Sequence, residues 1–126
     1  MRKNEDLKQF RPSIHVEKQE SNELELFQNQ VLRPILKYQH DLLVIEIQTN
    51  PIVQKLLGKE ISDERKRNQL KVFFSKSEIK FQLLGQISGM LTNQEFQFYK
   101  SQKKDIDKRI FAMLLDRILS IELINF

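Results

Sequence analysis

Apolar residues recur with a helical rhythm along most of this chain, and the longest such run spans Leu24 to Ile47. Positions 24, 28, 31, 35, 38, 42 and 45 advance by alternating steps of four and three, and all but Gln28 are apolar. That spacing holds one side of an α-helix against a core. A second row, Leu32, Leu36, Leu43 and Ile47, widens the stripe, so the pattern predicts a helix covered from two directions around which the rest packs. Pro34 sits inside it. A proline there has no N–H for the carbonyl of Gln30 and its ring crowds that turn, so a kink is expected.

Cap and stop signals divide the remainder. Asn22 followed by Glu25 has the form of a helix cap with a reciprocal carboxylate. Thr49-Asn50-Pro51 reads as a stop and a fresh start, and the short helix that follows is expected to end on a left-handed Gly58. Ser62, with Asp63 and Glu64 behind it, opens a helix carrying Leu70, Phe73 and Phe74. Ser77 is expected to cap a helix from Glu78 to about Leu91, with Ile79, Leu83, Leu84, Ile87, Met90 and Leu91 inward. Thr92 and Glu95 form a capping box, and a last helix from Lys103 or Asp105 to Glu122 has Ile106, Ile110, Met113, Leu114, Ile118 and Ile121 at helical spacing. Residues 44–49 and 95–100 also fit a strand period of two, although their neighbours are helical. Residues 1–20 lack a sustained period and read as a flexible arm, leaving 21–126 as one helical-bundle domain.

Composition sharpens this picture. With 126 residues but only three glycines and three prolines, the chain suits long helices with few turns better than a sheet. Cysteine is absent, which removes disulfides, thiolate metal sites and catalytic thiols. The start, MRKNEDLKQF, has no apolar stretch of the secretory kind and no run suits a membrane span, so a cytoplasmic location is the expectation. The formal charge of +4 is local: residues 51–80 hold eight Lys and Arg against four Asp and Glu. A modest basic surplus suits nucleic acid or acidic lipid, and equally a solvated helix flank.

Three groups of residues are candidates for function. Gly85 and Gly89, four apart in a helical pattern, strip side chains from one helix face and suggest a close crossing, with Ala112 as the natural partner on the last helix or with a second subunit in its place. Arg65, Lys66, Lys76 and Lys80 cluster on a helical projection and are the nucleic-acid candidates, whereas Arg67 and Lys71 project elsewhere. His40 beside Asp41 is the one pairing of acid–base type, near Arg33, but neighbours on a helix diverge by about 100° and no nucleophile accompanies them. No metal-binding histidine pattern, phosphate loop or nucleophile elbow occurs, and no cofactor is implied.

The segment FQNQVLRPILKYQHDLL, the later LLGQISGMLTNQEFQFYK and the ending DKRIFAMLLDRI together resemble a small uncharacterised family of all-helical bacterial proteins, over roughly residues 11–120. Some members of such families carry a glyoxalase label. Metal-dependent glyoxalases are built of repeated βαβββ units with His and Glu ligands, and neither pattern occurs here. The expectation is an all-α, compact bundle of four to six helices. Its expected role is a non-catalytic interaction or oligomerisation module, with a nucleic-acid accessory protein using residues 65–80 as the alternative and a small enzyme as the third reading.

Overall fold

A computed structural model of the chain describes residues 22–121, and every described helix is α-helical apart from one π-helical segment. The arm expected over residues 1–20 and the end of the last expected helix at Glu122 lie outside those residues. The all-α expectation holds, and the two ambiguous stretches at 44–49 and 95–100 are both helical. Seven helices are present among the described residues, against an expected four to six.

Helix α1 is made of three abutting segments, Glu23–Phe27, the π-helical Gln28–Leu32, and Arg33–Tyr38. Asn22 starts it by accepting a hydrogen bond from the Glu25 N–H at 2.8 Å. Ahead of Pro34 the backbone widens into a π turn, and the Arg33 N–H donates to the Gln28 carbonyl. Leu32 and Arg33 stay in right-handed helical conformation, and the backbone answers the proline with a wider turn. Such a turn gives the proline ring room that a regular turn lacks.

The extra helix comes from a break one turn further on. Gln39 leaves helical geometry at φ −88°, ψ 4° and separates α1 from α2, His40–Thr49. Its side-chain Nε2 donates to the Gln86 carbonyl at 2.9 Å, a tertiary anchor that no local pattern announces. At the far end of α2, Asn50 accepts from the N–H groups of both Ile52 and Val53 at 3.1 Å, and Pro51 opens α3, Pro51–Leu57. The Gln54 side chain donates back to the Ile47 carbonyl at 2.8 Å and closes that corner. Gly58 ends α3 with φ −79°, not in the left-handed conformation expected of it.

Helix α4, Asp63–Ser75, is capped by the Ser62 hydroxyl accepting from Arg65 N–H, with Asp63 and Glu64 in its first turn as the macrodipole favours. Helix α5, Ile79–Ser88, starts later than predicted, with Glu78 at the cap position while the Ser77 hydroxyl accepts from the Ile79 N–H. Helix α6, Asn93–Ser101, carries the full capping box: Glu95 N–H to the Thr92 hydroxyl at 3.3 Å, and Thr92 N–H to the Glu95 carboxylate at 2.8 Å. Helix α7, Lys103–Ser120, buries Ile106, Ile110, Met113, Leu114, Leu115 and Ile118. It packs on α4, α6 and the π-helical part of α1, and so shares the central place that the sequence pattern gives to Leu24–Ile47 alone.

One contiguous apolar core results. From α1 and α2 it takes Phe27, Leu32, Ile35, Leu36, Leu43 and Ile47, which is chiefly the second row of the sequence pattern. Much of the longer row is left outside.

Candidate functional site

Several large apolar side chains stand partly exposed on the surface. Tyr38, Leu42 and Ile45, spaced four and three apart across the α1–α2 junction, are 48%, 46% and 56% exposed. The Gln39 N–H donates to the Ile35 carbonyl and the Leu43 N–H to the Gln39 carbonyl, so the helical path continues through the break and keeps the three on one side. Lys37 and Asp41, both exposed and also four apart, follow one border of this stripe with opposite charges. On α5, which the Gln39–Gln86 bond ties to the junction, Phe81 is 71% exposed.

The glycine pair stands at the C-terminal half of α5. An added Cβ at Gly85 would meet nothing within 4 Å, and Gly85, Gly89 and Ala112 are all exposed. The close crossing within the chain, expected at Gly85 with Ala112 opposite, is therefore not made among the described residues. A face of α5 stripped of side chains instead points outward. Gly89 has a local reason to be glycine: a Cβ there would lie 3.0 Å from the Gly85 carbonyl oxygen, which already accepts the Gly89 N–H at 2.9 Å.

The basic residues sort differently from the sequence projection. Lys80 reaches a groove of about 620 Å³ between α4, α5 and α7, whereas Arg65, Lys66 and Lys76 do not line it. The groove is lined instead by Arg67, Lys71, Lys104 and Lys108, of which the sequence reading dismissed the first two and overlooked the others. The missed signal was periodic. Arg67, Lys71 and Phe74 on α4, and Lys104, Lys108, Phe111 and Leu115 on α7, both advance by steps of four and three, which puts cations and aromatics on one face of each helix.

Polar side chains elsewhere are engaged in holding helices together. The Tyr99 hydroxyl donates to one Asp107 oxygen and Lys103 Nζ to the other, each at 2.6 Å. Burial, then the Asp107 hydrogen bond and charge, raise the Tyr99 phenol above its usual pKa, and the Asp107 hydrogen bond raises Lys103. Arg67 pairs with Asp116 and donates to the Ala112 carbonyl, joining α4 to α7. Arg109 donates to Gln28 at 2.8 Å, joining α7 to the π segment.

His40 does not work with Asp41. Its Nδ1 lies 3.2 Å from a nitrogen of Arg117, and because a guanidinium only donates, Nδ1 is the acceptor. Desolvation, then the nearby charge of Arg33, holds Arg117 below the usual arginine pKa. Arg33 itself donates to Asn29 and Asp41 is exposed, so these three form no hydrogen-bonded unit. No group of three His, Asp or Glu side chains among the described residues could hold a metal ion, and no described helix is long and apolar enough to cross a membrane. Compared with protein-family models, with curated proteins and with solved structures, the chain gives no match.

Proposed function

We propose that this protein is a non-catalytic helical interaction module that self-associates by burying Tyr38, Leu42 and Ile45 against the same face of a second copy. The observation that carries this reading is the exposure of three large side chains in line on a helical path whose opposite side is core. An antiparallel second copy can set each Lys37 against the other's Asp41, so the border of the stripe complements itself as a two-fold interface requires. Phe81 and Gly85 are also exposed, on the helix that the Gln39–Gln86 bond ties to the junction, and we extend the proposal to an approach between subunits at the glycines.

Magnitudes set the strength. Half-exposed side chains of this size yield about 1 kcal/mol each on full burial, so six from two copies give roughly 5–9 kcal/mol. Association costs at least about 4 kcal/mol. At most about 5 kcal/mol remains, so the stripe alone supports only a weak dimer, formed at roughly hundreds of micromolar and above.

Sedimentation equilibrium across that range tests it. The expected result is a rise from 15.1 kDa towards twice that mass in the wild type, lost in a Leu42→Glu/Ile45→Glu double variant. Both positions are exposed, so the variant keeps the fold and its helical circular dichroism. A wild type that stays at 15.1 kDa at the highest concentration, or a variant that dimerises equally well, refutes the reading.

A further inference from the structure

We propose that the groove between α4 and α7 binds a small organic polyanion with a flat apolar body, the ring lying on Phe111 and the negative groups reaching Lys71, Lys80, Lys104 and Lys108. The reasoning starts from charge. Of the groove's two ionic networks, one spends Arg67 on Asp116, and the other spends both oxygens of Asp107, its one carboxylate, on Tyr99 and Lys103. That leaves four lysines facing the groove with no carboxylate partner among the described residues. Like charges gathered around one concavity repel one another and raise the local concentration of anions.

The floor supplies the second half of the chemistry. Phe74 is buried, Phe111 half-buried, and their ring centroids are 6.3 Å apart. Lys80 Nζ stands 5.5 Å from the Phe111 centroid, in reach of the ring face. An aromatic surface beneath unpaired cations is the complement of an anion carried on a flat ring. A volume of about 620 Å³ falls within the usual size of small-molecule sites, of about 300–1,000 Å³.

The observations favour a bounded ligand over a nucleic-acid strand. The Arg67–Asp116 pair ties α4 to α7 at one end, and the Tyr99–Asp107–Lys103 network occupies the other. The cations that would track a strand along α4, Arg65, Lys66 and Lys76, are not in the groove.

Pyranine, a fluorescent pyrene carrying three sulfonates, is a direct probe of this chemistry. Titration of the full chain should give saturable binding of one dye per chain. Lys104→Glu/Lys108→Glu should weaken it about tenfold or more, while Arg65→Glu/Lys66→Glu changes it less than about twofold. Inorganic phosphate should displace the dye only at far higher concentration, because it lacks the ring. The proposal is overturned by the absence of saturable binding, by equal affinity in the Lys104/Lys108 variant, or by phosphate competing as well as a pyrene trisulfonate. It is overturned in favour of a strand if a twenty-nucleotide oligothymidylate binds more tightly than the dye and Arg65→Glu/Lys66→Glu abolishes that binding.

Discussion

At the scale of single residues, position decides what each side chain can do. Gly85 lies inside α5 yet its missing Cβ would meet nothing, so alanine there gains helix propensity and loses no contact within the chain. Gly85→Ala should raise the stability of the monomer by about 0.5–1 kcal/mol in urea unfolding at low protein concentration. A loss of stability would restore the close crossing within the chain that the sequence suggested. Tyr99 behaves oppositely, because its hydroxyl is bound to Asp107 and its pKa is raised. A raised phenol pKa contributes stability that is complete below the unfolded value, near 10, and is lost as the pH rises through the folded value. Tyr99→Phe should therefore cost about 1–2 kcal/mol at neutral pH. The gap in melting temperature between wild type and variant should narrow above about pH 10. Parallel melting curves from pH 7 to 11 would show that the phenol contributes nothing. The spacing of Tyr99 and Asp107 along the chain gave no warning of this pair, since it forms only when α6 folds back on α7.

At the scale of elements, local signals were legible and long-range ones were not. The caps at Asn22, Asn50, Ser62 and Thr92 all form, because a short polar side chain ahead of a helix needs only its own next turn to find a donor. Thr92 is the strongest case, being 2% exposed and bonded in both directions. Thr92→Ala should lower stability by about 1–2 kcal/mol, with Thr92→Ser recovering most of the loss. Equal losses in the two variants would mean that methyl packing, and not the cap, is what matters. The break at Gln39 was invisible in the local pattern, and the partner its side chain finds, the Gln86 carbonyl, lies 47 residues away. Pro34 is the opposite case. Its own defect is local, and the chain absorbs it locally in a π turn.

At the scale of the whole molecule, the apolar rows of α1 and α2 carry two separate messages. The row Leu32, Leu36, Leu43 and Ile47 is core, while Tyr38, Leu42 and Ile45 of the longer row face outward. Periodicity places residues on a face, but it cannot say which of two adjacent apolar faces the chain itself covers. That depends on where α5 and α7 dock. The same limit hid the basic groove, whose cations come from three helices and appear in sequence as ordinary lysine-rich flanks. The most direct test of self-association through the stripe uses the absence of cysteine from the chain. Single-cysteine variants Leu42→Cys and, as a control on another exposed surface, Lys104→Cys are oxidised under identical mild conditions and their masses read without reductant. The interface proposed here predicts rapid, concentration-dependent conversion of the Leu42→Cys protein to a covalent species of twice 15.1 kDa, with the control lagging far behind. Equal rates for the two, or a faster control, would contradict it.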